Sequence, residues 1–116
     1  MEKCIFCKIV KGEVPATKEY EDEEILVIRD IHPKADVHLL IVTKVHLPEF
    51  ADLESLEIWT KMSQVAKDLI EKFNLRENGY RLVNNGAGAA LIQHLHLHLL
   101  GNVPHTRDLL SRNLQF

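Results

Sequence analysis

His94-Leu95-His96-Leu97-His98-Leu99-Leu100 alternates imidazole with leucine. A strand has a side-chain period of two, so a strand reading puts His94, His96 and His98 on one face. Leu95, Leu97 and Leu99 then share the other face and can enter a core. At physiological pH an imidazole can be a nucleophile, a base, a proton donor or a metal ligand. Spacing narrows the choice. Residues two apart on a strand stand roughly 6.5 Å apart, and residues four apart roughly 13 Å. One tetrahedral metal can take neighbours in this row but hardly all three. The row is therefore expected to divide its work. A half-solvated polar strand face is the plainer alternative, but three alternating histidines after a glycine-containing loop are improbable filler.

Outward from this run, the chain reads as an α+β domain. Upstream, Asn85-Gly86-Ala87-Gly88-Ala89-Ala90 is a small-residue loop whose N–H groups can hold a phosphate. Tyr80 to Val83 reads as a fourth strand, after a turn at Asn78-Gly79. Leu53, Leu56, Trp59, Met62, Ala66, Leu69, Ile70 and Phe73 recur at helical spacing. Asp52 is the expected N-cap of this long helix and Asn74 its stop. His38 to Thr43 is a third strand. Glu19 to Glu21 and Ile25 to Arg29 flank an acidic turn as strands one and two, and Asp30-Ile31-His32-Pro33 breaks the second. Cys4 to Val10 reads as a short N-terminal helix. The expected fold is a five-stranded antiparallel sheet with one long and one short helix. One sheet face or edge is left under-protected, which a homodimer with a continuous sheet would relieve.

The 116 residues, 46% of them hydrophobic, fit a single domain over 1–116. A net charge of −3 gives no basic footprint for nucleic acid as a bulk partner. Met1-Glu2-Lys3-Cys4 has no apolar signal core, and no apolar run is long enough to span a bilayer. The expectation is a soluble cytoplasmic protein with no membrane partner. In such a compartment the spacing Cys4-x-x-Cys7 means metal or redox chemistry before a structural disulfide. A redox reading wants a strand before the motif, and none precedes it. A zinc reading needs two more ligands, and His46 and His94 are available.

The remaining candidates are weighed singly. His38 opens a strand and can project beside the histidine row, as a hydrogen-bond partner or as a catalytic group. Asp30 can cap its turn or bind a ribose hydroxyl. His32 and His105 lie in loops and are taken as solvated. An imidazole beside a bound phosphate can attack it, forming a phosphoramidate that water then cleaves. A neighbouring imidazole can hold the leaving group or the non-bridging oxygens.

Cys4-Ile5-Phe6-Cys7-Lys8-Ile9-Val10-Lys11-Gly12-Glu13-Val14-Pro15, Asp30-Ile31-x-Pro33, His38 to His46, Gly79 to Asn84 and the run His94 to Leu100 together resemble the histidine triad (HIT) family. The resemblance is to its nucleoside phosphoramidase branch and spans nearly the whole chain. It implies a HIT-like fold and a hydrolase cleaving purine nucleoside phosphoramidates or related nucleotidyl bonds. By position it implies His96 as the nucleophile, His98 as the phosphate contact and His38 as the fourth active-site histidine. It implies ribose and base contacts at Asp30 and Ile31, base-pocket walls at Phe6 and Ile9, and a phosphate contact at Asn84, with Asn85 as the alternative. It further implies a structural zinc on Cys4, Cys7, His46 and His94, and a homodimer.

Four departures stand out, the first being Val37, where a small residue or glycine is common. The segment between Tyr80 and His94 is shorter than the family pattern. Leu91 occupies a position that often carries Ser or Thr, and it cannot donate a hydroxyl hydrogen bond. The tail Asp108 to Phe116 does not match the usual ending. A nucleotide-binding module with weak turnover, or a catalytic zinc hydrolase using neighbouring row histidines, are the alternative expectations.

Overall fold

The computed structural model describes residues 4–103. His105 and the tail Asp108 to Phe116 lie outside the described residues. The elements are α1 (Ile5–Val10), β1 (Lys18–Glu21), β2 (Ile25–Arg29), β3 (Val37–Thr43), α2 (Glu57–Lys72), α3 (Leu75–Asn78), β4 (Tyr80–Val83) and β5 (His96–Gly101). The five strands form one antiparallel sheet in the order β1-β2-β3-β5-β4. The expected α+β architecture is thus present.

Register sorts the side chains. Leu39 pairs with Leu99 and Ile41 with Leu97, while Leu40 pairs with His98 and Val42 with His96. Directly paired residues share a face. Leu39, Ile41, Leu97 and Leu99 therefore face one way, and with Ile25, Val27 and Leu95 they bury against Met62, Val65, Ala66, Leu69 and Ile70 of α2. Leu26, Ile28, Leu40 and Val42 face the other way and pack on Phe6 and Ile9 of α1. His38, His96 and His98 lie on that second face. A helix shorter than two turns covers only part of it, which leaves room for a polar site.

Three sequence expectations are corrected. The long helix begins at Glu57, not after Asp52; Phe50–Asp52 is a separate 3-10 turn. Ser55 Oγ accepts from the Glu57 N–H at 3.2 Å, supplying a first-turn N–H with a partner that Asp52 is too far upstream to give. Leu53 packs on the core from outside the helix, which extends the apparent period, and Leu56 points into solvent. The segment before Gly79 is a helical turn, α3, rather than an Asn-Gly turn. Gly79 leaves it at φ 84°, where a Cβ would stand 2.9 Å from the Val103 carbonyl oxygen. The third correction concerns His94, which precedes β5 instead of lying within it. Its partner strand ends at Thr43, so no ladder extends to it.

Candidate active site and metal cluster

Four donor atoms converge where α1 meets the end of β3. Cys4, Cys7, His46 and His94 place one ligand atom each within 4.8 Å of one another. Cys4 is the N-cap of α1, and its sulfur accepts from the Cys7 N–H at 3.4 Å. That turn is what brings the two sulfurs together. Nδ1 of His94 stands 3.2 Å from Cys4 Sγ and 3.6 Å from Cys7 Sγ, and Nδ1 of His46 stands 3.2 Å from Cys7 Sγ.

The tautomer of His94 suits metal binding. Its Nε2 faces the Thr43 carbonyl oxygen at 2.7 Å. A carbonyl only accepts, so Nε2 carries the proton and Nδ1 turns its lone pair toward the sulfurs. Burial lowers the basicity of His94, which keeps the ring neutral. Burial and the neighbouring Cys4 push the Cys7 thiol up from its ordinary value. A cation among the donors acts in the opposite direction. A cavity of about 340 Å³, lined by Cys4, Ile5, His46, Leu91, Ile92 and Gln93, opens beside the cluster.

A second group, Asp30, His38 and His98, also brings three ligand atoms within 4.8 Å. Its hydrogen bonds argue differently. The Lys34 N–H donates to His38 Nδ1 at 3.0 Å, so neutral His38 carries its proton on Nε2. That Nε2–H faces His98 Nδ1 at 3.0 Å and Asp30 Oδ2 at 3.5 Å. A protonated Nε2 has no lone pair for a metal. Because His98 accepts at Nδ1, its own proton sits on Nε2. Burial first, then the neighbouring His96 and His38, depress His98 to about 4. Burial likewise lowers His38, against the pull of Asp30. The pair is a neutral donor chain, not a metal seat.

His96 lies between the two groups. Its Nδ1 stands 2.6 Å from the main-chain oxygen of His94. Nδ1 is therefore the protonated nitrogen, and Nε2 keeps its lone pair. Burial lowers its basicity below the ordinary imidazole value, so the ring stays neutral at pH 7. The ring packs edge-on against Phe6 at 4.9 Å and against His98 at 5.0 Å between centroids. The residue keeps 6% of its surface open. A neutral imidazole with a held tautomer has the chemistry a nucleophile needs, and the neutral N–H donor next to it has the chemistry to meet an anion.

The family described as "Scavenger mRNA decapping enzyme C-term binding" matches residues 3–113. The purine nucleoside phosphoramidase of Escherichia coli K12 is 36% identical over 107 residues, covering 89% of this chain and 90% of that protein. The 14 kDa zinc-binding protein of Zea mays is 45% identical over 103 residues, covering 84% and 80%. Among solved structures, a HIT family hydrolase from Legionella pneumophila Philadelphia 1 superposes with TM-score 0.85 at 44% identity, covering 90% of this chain and 96% of that one. The chain belongs to the histidine triad family.

The triad is thus split in space. Its first histidine turns to the cysteines, while the second and third face the donor chain from His38. Asp30 caps its turn, the first of its two readings: Oδ1 accepts from the His32 N–H at 2.8 Å, while Oδ2 stands 3.5 Å from His38 Nε2. Phe6 and Ile9 are buried in the smaller core cluster, on the sheet face that carries the triad. Ile31 is 84% exposed. Asn84 donates its amide to the His96 carbonyl at 3.1 Å, tying the end of β4 to the triad strand. His32 is exposed, as expected.

Sequence reading missed three backbone groups in the triad's surroundings: the Thr43 carbonyl, the Lys34 N–H and the Leu47 carbonyl. Each acts through the main chain, so no residue type marks it. Thr43 alone carried a hint, as a buried hydroxyl whose Oγ1 also reaches His94 Nε2 at 3.3 Å.

Proposed function

We propose that this histidine triad protein hydrolyses purine nucleoside phosphoramidates or related nucleotidyl bonds through a nucleotidyl intermediate on His96. The observation that carries the reading is the His96 tautomer: Nδ1 is committed to the His94 carbonyl, and Nε2 is free to attack. In the first step Nε2 forms a bond to the α-phosphorus and the P–N bond breaks. The leaving nitrogen takes one proton from solvent and departs as the amine, and the attacking water of the second step returns one proton to solvent. In the second step water cleaves the phosphorus–histidine bond, giving a nucleoside monophosphate and free His96. The Nε2–H of His98 donates to a non-bridging oxygen as charge builds there. His38 holds His98 in the donating tautomer. Asp30 and Ile31 take the ribose and base, with Phe6 and Ile9 behind the base and Asn84 near the phosphate. The Escherichia coli relative named as a purine nucleoside phosphoramidase supports the substrate class.

We assign a structural zinc to Cys4, Cys7, His46 and His94. The four-donor set fits a closed site with no open position for a substrate. Bound there, zinc supplies a crosslink between α1, the segment after β3 and the triad. The zinc-binding relative from Zea mays supports the choice of metal. A homodimer joined along β4 completes the proposal.

The test uses adenosine phosphoramidate. Release of AMP by the protein, none above background from His96→Ala, and a quenched adduct one nucleotidyl group heavier than the chain are expected. Equal activity in both proteins removes the reaction. A second reading has its own observation. Leu91 is 86% exposed and brings no hydroxyl to the loop before the triad, which favours a nucleotide-binding module with slow turnover. Nucleotide binding without product release selects it.

A further inference from the structure

We propose that the peptide joining His94 to Leu95 carries the state of the metal cluster to the nucleophile. This rests on the two readings above, that His96 attacks and that the cysteine–histidine cluster holds a metal.

In a trans peptide the C=O and the N–H point in opposite directions within one plane. Both ends of the 94–95 plane are engaged. The C=O of His94 accepts from His96 Nδ1 at 2.6 Å. The N–H of Leu95 donates to the Leu47 carbonyl, also at 2.6 Å. Among the described residues no ladder partner sets this plane, because β5 begins at His96, paired with Val42. Its direction is set by what holds His94 and Leu47.

Those two anchors belong to the metal cluster. His94 is itself a donor, 3.2 Å from Cys4 Sγ. Leu47 follows His46, whose Nδ1 stands 3.2 Å from Cys7 Sγ. A cation shared by the four donors fixes both ends of the Leu47–Leu95 hydrogen bond at once. Without it, weak thiol hydrogen bonds are what remain among the four donors, and the Thr43 carbonyl at 2.7 Å from Nε2 is left to hold the His94 ring by itself. The consequence reaches His96 because a single carbonyl selects its tautomer. If the plane turns, the proton is free to move to Nε2, and the lone pair aimed at phosphorus is lost. His94 is therefore a positioning residue twice over, as a ligand through its ring and as an acceptor through its carbonyl.

The experiment compares ¹⁵N-labelled protein loaded with zinc, stripped by a chelator and reloaded. Long-range proton–nitrogen correlation reads the His96 ring. The loaded form is expected to be wholly Nδ1–H, the stripped form a mixture, and reloading is expected to restore the first. In parallel, kcat is expected to fall roughly tenfold or more on stripping, with KM moving less than about twofold. A stripped protein whose β3 and β5 amides stay protected and whose His96 stays wholly Nδ1–H overturns the proposal.

If chelation unfolds the chain, His46→Asn is the deciding variant. It leaves Cys4, Cys7 and His94 to hold zinc while releasing Leu47 from the cluster. A folded, zinc-loaded His46→Asn with a single Nδ1–H tautomer overturns the proposal equally, and mixed tautomers support it. The two layers fail separately. A metal-dependent tautomer in a protein without phosphoramidase activity keeps this link and removes the reaction. A fixed tautomer in an active enzyme does the reverse.

Discussion

Nε2 of His38 stands 3.0 Å from Nδ1 of His98, and the Lys34 N–H holds the opposite nitrogen of His38. That arrangement makes His38 a neutral donor rather than a base. A glutamine amide can put an N–H near the place of Nε2, whereas alanine offers none. His38→Ala is therefore expected to lower kcat by about 10² or more, as for removal of one donor that supports developing charge. His38→Gln is expected to recover a measurable part of that loss. Steady-state kinetics on adenosine phosphoramidate check it; equal losses in the two variants contradict the donor role.

The same burial fixes a pH dependence. His98 titrates near 4 in the folded chain, below the ordinary value of 6.5. Between those two values the unfolded chain binds a proton at this site and the folded chain does not. Stability is therefore intact above about pH 6.5 and falls as the solution is acidified toward 4, at up to roughly 1.4 kcal/mol per pH unit from this one group. His38, His94 and His96 are shifted in the same direction. Urea midpoints at pH 7.5 and 5 measure the fall. His98→Asn is expected to show a smaller fall than the parent. The acid limb of kcat/KM is expected below the usual imidazole range.

Zinc content and heat stability test the cluster. After expression with added zinc, about one metal per chain is expected, as one four-donor site requires. A content under half of that counts strongly against the assignment. Cobalt substitution is expected to give the absorption of a tetrahedral thiolate site, without the spectral change on adding nucleotide that an open position would show. Chelation is expected to lower Tm by more than about 5 °C, since about 1 kcal/mol moves a domain of this size by that amount. An unchanged Tm after complete removal excludes a structural metal.

The edge strand carries the dimer prediction. β4 lies at one end of the sheet, and Tyr80 and Leu82 stand 48% and 43% exposed on it. Bare edges with apolar side chains invite pairing. Pairing with a second β4 hides both residues and continues the sheet. Sedimentation is expected to give a dimer, and Leu82→Lys is expected to shift it toward monomer. A parent protein that sediments as a monomer at micromolar concentration rules this interface out.

Much of this architecture was legible because side-chain periods are a direct record of burial. Ile25 to Ile28 and His38 to Thr43 are buried strands and read as such. Leu95, Leu97 and Leu99 entered the core on the face the alternation assigned. The grouping of Cys4, Cys7, His46 and His94 was legible because the one C-x-x-C pair needs two more ligands, and His46 just past a strand and His94 at the head of the histidine row could supply them. The start of α2 was not, since Leu53 packs on the core without being helical and mimics the period. The placement of His94 outside β5 was also hidden. A periodic pattern cannot report where the partner strand stops. The tautomers were out of reach for a related reason: backbone groups of Thr43, Lys34 and His94 set them.

The last prediction concerns Leu91, three positions before His94. At 86% exposure it packs against little, so Leu91→Ser is expected to change stability by no more than about 0.5 kcal/mol. Its neighbour Ile92 does pack, against the smaller core cluster, and Gln93 donates its amide to the Ala87 carbonyl at 2.8 Å. Those contacts hold the loop's shape, so a serine at 91 enters a loop that already has its fold. A hydroxyl there adds a donor near the phosphate that the loop faces under the proposed reaction. One added donor to developing charge is worth up to about 10²-fold when fully aligned, and an exposed position gives less. The expected result is a kcat increase of a few-fold or more on adenosine phosphoramidate, with AMP affinity changed little. Leu91→Ala removes the same apolar bulk without adding a donor and is expected to leave kcat near the parent value. If alanine raises kcat as much as serine, relief of bulk is the cause and the missing hydroxyl is irrelevant. If neither changes it, the position plays no part in turnover.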